Sequence, residues 1–133
     1  MACVITQTQT NKGTILDLLK RIDKMQKEAV QLINENSCNT CIFSPMFNTK
    51  PIAVYTCNGR LEVPTTIDGA TLANFFRVEN INGDETVVLR LLTVVDGVIT
   101  CTGYTIVMDI NCICYVQCFE PINCETTCFP AIG

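Results

Sequence analysis

The sequence predicts a mainly β chain with one N-terminal helix, its strands forming an antiparallel β-sandwich or barrel-like sheet. Three observations predict it. Apolar residues recur at helical spacing in one segment, residues 14–36. Beyond position 50, short runs rich in Val, Ile, Thr and aromatic residues are punctuated by Asn-Gly and Asp-Gly, the dipeptides of hairpin turns. No helical pattern intervenes between those runs, so their connections are hairpins and not the crossovers of a parallel sheet.

Residues 1–13 read as a polar arm carrying Cys3. In "TILDLLKRIDKMQKEAVQLINEN", Thr14 is the expected N-cap, with Asp17 three residues on as in a capping box. Ile15, Leu18, Ile22, Met25, Ala29 and Leu32 alternate at spacings of three and four, and Leu19 and Ile33 widen the stripe. The stripe fits a helix lying on a sheet, or a seam with a partner helix in an oligomer. Next come "NSCNTC" and "SPMFNTKP", read as a loop. "PIAVYTC" then runs into Asn58-Gly59, and further turns are expected at Asp68-Gly69, Asn82-Gly83 and Asp96-Gly97. A two-residue turn at Asn82-Gly83 pairs Ile81 with Asp84, Val78 with Val87 and Phe76 with Leu89. Phe76, Val78, Val87, Leu89 and Leu91 then share an apolar face, opposite Arg77, Glu79, Thr86 and Arg90. Arg77 and Glu79 are an ion pair or part of a solvated polar face, and with Arg90 they become interface residues if another subunit covers that side. One domain, residues 14–119, is expected, followed by a cysteine-bearing tail, residues 120–133, that leaves the sheet.

Composition narrows the function classes. A chain of 133 residues with 48% hydrophobic and 17% charged residues can bury a core without depending on disulfides. A net charge of −4 offers no attraction to nucleic-acid phosphates or anionic lipid, so neither is expected as a partner. The longest apolar run is broken by Arg90 and Asp96, and the opening "MACVITQTQTNK" lacks the basic start and apolar segment of an export signal. With no histidine, there is no Ser-His or Cys-His nucleophile system. No glycine-rich phosphate loop or marked carboxylate pair occurs, so no enzyme activity and no cofactor are expected.

The ten cysteines are the unusual feature, and five of them fall within residues 109–128. Three uses compete: a framework within the chain, a metal site, or cross-links between chains. A zinc site would take Cys38-x-x-Cys41 as one half and Cys124 with Cys128 as the other, making the chain a monomeric cysteine-rich zinc-binding module. A redox CxxC should open a helix after a strand, and Cys38 follows a helix instead. If "NCICYVQC" is extended, Cys112, Cys114 and Cys118 share one face. Cys57 and Cys101, read as strand residues, are expected to be buried and unpaired. Cys3, Cys124 and Cys128, near the ends, are the candidates for bridges between subunits, with Cys38 and Cys41 as acceptors.

"MDINCICYVQC" resembles the closing motif of the CotY/CotZ family of bacterial spore coat proteins, which includes the exosporium protein ExsY. The shared pattern is Asp109, Ile110, Cys112, Cys114, Gln117 and Cys118. "FFRVENINGDETVVLRLL" is similar to the family's Phe-Arg-Val-Glu segment and following Leu-Arg strand, and "PIAVYTCNG" to its strand before the first glycine turn. The resemblance implies a structural protein made in the mother-cell cytoplasm and carried on the spore surface, in outer coat, crust or exosporium. Its implied partners are itself, as a hexamer and hexagonal two-dimensional lattice hardened by disulfides, and other spore coat proteins.

Overall fold

The computed structural model describes residues 9–35 and 47–124. Helix α1 (Gln9–Glu35) is followed by strands β1 (Ile52–Thr56), β2 (Gly59–Arg60), β3 (Val63–Pro64), β4 (Leu72–Ala73), β5 (Phe75–Asn82), β6 (Thr86–Val95) and β7 (Val98–Asp109). A single 3-10 turn, η1 (Ile110–Cys112), leads into β8 (Tyr115–Cys118). The fold is mainly β with one N-terminal helix. Six strands form one curled half-barrel sheet in the order β2-β1-β5-β6-β7, with β8 pairing to β1, and every pairing is antiparallel. β3 and β4 make a small separate ribbon. In its turn the Thr66 hydroxyl and the Ala70 amide donate to Asp68, which holds that carboxyl below its ordinary pKa. No helix among the described residues is long and apolar enough to cross a membrane.

The helix starts five residues before the expected cap, so Thr14 lies inside it and not at its N-terminus. Nothing between Gln9 and Gly13 marks an apolar face, yet nothing there stops a helix except one glycine, whose cost is modest. The buried line along α1 is Ile15, Leu19, Ile22 and Gln26, while Met25 is 55% exposed. The expected stripe is therefore rotated at its far end, and a glutamine takes the place of the methionine. Gln26 repays its burial with two hydrogen bonds. Its amide donates to the Val78 carbonyl at 2.7 Å and accepts from the Lys50 amide at 2.9 Å, tying the helix to β5 and to the segment before β1.

The β5–β6 hairpin departs from the expected register in two compensating ways. Its loop has three residues, Gly83 to Glu85, with Asn82 opposite Thr86, and both Gly83 and Asp84 adopt positive φ. That change alone is odd in residue count and would turn every β5 side chain to the wrong face. A bulge between Val78 and Asn80 restores the parity, so Val78 pairs with Leu89 and Phe76 with Leu91. The partners differ from those expected, and the face does not: Phe76, Val78, Val87, Leu89 and Leu91 are all buried. They pack with Ile15, Leu19 and Ile22 of the helix, Ile52 and Val54 of β1, and Ile110 and Ile113. The Asp96-Gly97 hairpin is the two-residue turn expected, with Val95 opposite Val98 and both turn residues at positive φ. At the first hairpin the turn residues are Cys57 and Asn58, because Thr56 pairs with Gly59.

The rotation of α1 has a direct test. Gln26→Leu should cost about 2 kcal/mol by leaving buried backbone groups without partners. Met25→Gln should stay within about 0.5 kcal/mol of the parent in urea unfolding. The reverse order would mean that the stripe read from the sequence is the buried one.

Candidate functional site

The cysteines within the described residues gather where strands end. Three features of the family-like motif build their setting. The Asp109 carboxylate accepts from the Asn111 amide at 2.8 Å and caps the 3-10 turn. Ile110, only 1% exposed, roots that turn in the core beneath α1. Gln117 accepts from the Tyr55 hydroxyl at 3.2 Å, beside the stacked rings of Tyr55 and Tyr115, 4.3 Å apart. Each non-cysteine position of the motif thus fixes the path on which the cysteines sit.

That path is not one continuous strand. Cys112 lies half-buried in the 3-10 turn, so it does not share an extended face with Cys114 and Cys118 as expected. The chain becomes extended from Ile113, and the Cys114 amide then donates to the Tyr55 carbonyl at 2.7 Å and opens the β1–β8 ladder. Val116 and Cys118 keep their common face by strand alternation, and Cys118 is exposed. Cys114 and Cys118 carry free thiols. The Cys114 sulfur lies 3.9 Å from that of Cys57.

Two expectations about paired states are corrected. Cys57 is exposed and disulfide-bonded, because β1 ends at Thr56 and the residue after it is a turn tip and not a strand interior. Cys101 is half-buried and bonded to Cys124, with Cα atoms 5.6 Å apart. Cys124, expected to reach outward to another chain, is 2% exposed and held within its own. Its sulfur is oxidised, so it is not available as the thiolate ligand that the zinc reading needs. Among the described residues no cluster of three or more metal-binding side chains occurs. Cys3, Cys38, Cys41 and Cys128 lie outside the described residues.

The bond to Cys101 ends a strap that sequence reasoning read as loop and tail. Thr49 and Ile122 exchange backbone hydrogen bonds of 3.1 and 2.9 Å. The Asn48 side chain donates to the Cys124 carbonyl and accepts from its amide, both at 2.8 Å. Beneath the strap lie the three polar residues considered as interface candidates. Arg77 and Arg90 face each other across β5 and β6 and are only 6% and 3% exposed. Arg77 donates to the Thr49 hydroxyl, the Asn48 carbonyl and Glu79, at 2.8, 3.0 and 2.8 Å. Glu79 also pairs with Arg90 at 3.1 Å. The ion pair is real, and this chain's own residues cover it. Asn48, Thr49 and Gln26 were missed because short polar residues in a Pro-containing stretch, or on a helix flank, look the same whether they face solvent or a buried guanidinium.

Two substitutions test this arrangement. Replacing Glu79 with Gln should cost about 3 kcal/mol, since it removes the carboxylate that pairs with both buried arginines. Replacing Cys101 and Cys124 together with Ala should cost a similar amount, about 3 kcal/mol for a loop of 23 residues, and leave a folded chain. Urea unfolding measures both, and a double-cysteine variant that is unfolded in buffer would mean that the core does not suffice alone.

Set against family models, curated proteins and solved structures, the chain finds no match.

Proposed function

We propose that this chain is a structural, self-assembling protein of the bacterial spore surface, of the CotY/CotZ kind, which builds a disulfide-hardened two-dimensional array from copies of itself. It is made in the mother-cell cytoplasm and associates with other coat proteins. The motif resemblance supplies the family. Support from the fold comes from the edge of the sheet.

β7 is 12 residues long and, among the described residues, pairs with β6 alone. Among the described residues, its outer edge therefore carries backbone donors and acceptors with no ladder partner. Soluble proteins usually blunt such an edge with lysine, proline or brevity. Here residues 98–108 contain no charged residue and no proline. Val98, Tyr104 and Val107 are 62%, 60% and 65% exposed along that strand, and Val94 and Val95 extend the apolar surface around the hairpin. A long, uncharged, partly apolar edge is what another copy of the chain can extend by strand addition. It is the observation that carries the reading.

Electron microscopy of the purified chain should reveal ordered sheets or hexagonal arrays, and oxidation should make them resistant to hot detergent. Tyr104→Lys with Val107→Lys should give a folded protein that no longer forms arrays. A parent chain that stays monomeric at all concentrations and redox conditions overturns the assembly reading. Arrays from the lysine variant would put the contact elsewhere than β7.

A further inference from the structure

Cys57 and Cys114 meet at the open end of the β1–β8 ladder. The register pairs Tyr55 with Tyr115, and the next backbone bond runs from the Cys114 amide to the Tyr55 carbonyl. Thr56 and Cys57 continue alongside, so the hairpin tip of β1 and the entry of β8 are neighbours. Their sulfurs are 3.9 Å apart, close to van der Waals contact. The two sulfurs differ in state. Cys57 is already in a disulfide, and Cys114 is a free thiol at a half-exposed position. A nucleophile and a disulfide electrophile in contact are the reactants of thiol–disulfide exchange.

We propose that Cys57 and Cys114 form a thiol–disulfide exchange site. The Cys114 thiol loses its proton to solvent, and the thiolate attacks the Cys57 sulfur. A Cys57–Cys114 bond forms as the existing bond of Cys57 breaks. The electron pair departs on the leaving sulfur, the one previously bonded to Cys57, and that thiolate takes up a proton. One disulfide is present before and after, and no oxidant or reductant is consumed. The net result moves the free thiol from Cys114 to the former partner of Cys57. Ring stacking of Tyr55 on Tyr115 and the Asp109-capped turn brace the backbones that carry the two sulfurs. Neither Cys118, which lies opposite Ile52, nor the Cys101–Cys124 pair has this juxtaposition with Cys57.

The exchange is internal to one chain and does not depend on assembly, whereas use of the released thiol for cross-linking rests on the function proposed above. The test uses the oxidised full-length chain, diluted to monomer, in a glutathione redox buffer. Acid quenching, alkylation and non-reducing peptide mapping then report each linkage over time. A Cys57–Cys114 peptide should appear as the original Cys57 linkage declines. Cys114→Ser should slow rearrangement of the Cys57 bond by roughly tenfold or more, and Cys118→Ser should leave it unchanged. Absence of the Cys57–Cys114 peptide from the wild-type chain overturns the proposal without any variant having to fold. Rearrangement in Cys114→Ser at the wild-type rate overturns it as well. Because monomers are read, failure of the arrays and failure of the exchange are separate results.

Discussion

Two arginines buried side by side set the terms for the rest of the molecule. Arg77 and Arg90 are directly opposite across β5 and β6, where like charges repel and where neither side chain reaches bulk water. One carboxylate, Glu79, answers both. It shares their face by strand alternation, and the bulge after Val78 then returns Ile81 to the apolar face opposite Val87. The bulge is therefore what puts Ile81, and not Asn80, against the hydrocarbon core beyond the ionic cluster. The guanidinium of Arg77 still has donors to place, and these go to Thr49 and Asn48. A buried charge thus dictates where a segment with no regular structure must lie.

Cooperation between the two faces of the sheet follows. On one face α1 packs Ile15, Leu19 and Ile22 into the core. On the other, the strap of residues 47–50 and 122–124 covers the arginines, and the Cys101–Cys124 bond fastens its end to β7. Gln26 joins the two layers, because its amide holds both the Val78 carbonyl at the bulge and the Lys50 amide of the strap. Loss of either covering element leaves polar groups of the other without partners, and such groups are costly once dehydrated. Helix, sheet and strap are therefore expected to come apart together.

Hydrophobic alternation was legible in the sequence, and so were the turn at Asp96-Gly97 and the helix itself, because each depends on neighbours in the chain. The apolar face of β5 and β6 was read correctly even with the register off by two, since an even shift preserves parity. What escaped reading depends on distant partners. Met25 rather than Gln26 looks like a core residue until Val78 and Lys50 are brought alongside. Cys57 looked like a strand residue because Asn58-Gly59 is the stronger turn signal, yet pairing of Thr56 with Gly59 moves the turn back by one. Cys101 could not be assigned a partner 23 residues away, as cysteine spacing alone does not encode connectivity. At the motif, Asp109 and Ile110 carried a readable instruction, a cap followed by a core anchor, that the assumption of a continuous strand concealed.

The placement of sulfur also has a physical logic. Neither the described stretch of α1 nor the two central strands β5 and β6 contains a cysteine. The described cysteines lie on β7 at the rim of the sheet, at the hairpin tip after β1, around β8, and at the end of the strap. A disulfide made or broken in the middle of β5 or β6 would move side chains packed at near-crystalline density. At a tip or an edge, the same reaction needs only a rotation about side-chain bonds and leaves the core as it was. The chain thus separates what must stay fixed from what can react. Burial and buried charge hold the fold, and the described cysteines sit at its tips, rim and strap, outside the two central strands. A framework of stabilising bridges would place its sulfurs deep and pair them all. Among the described residues, Cys114 and Cys118 instead carry free thiols, and only Cys114 lies against the oxidised Cys57.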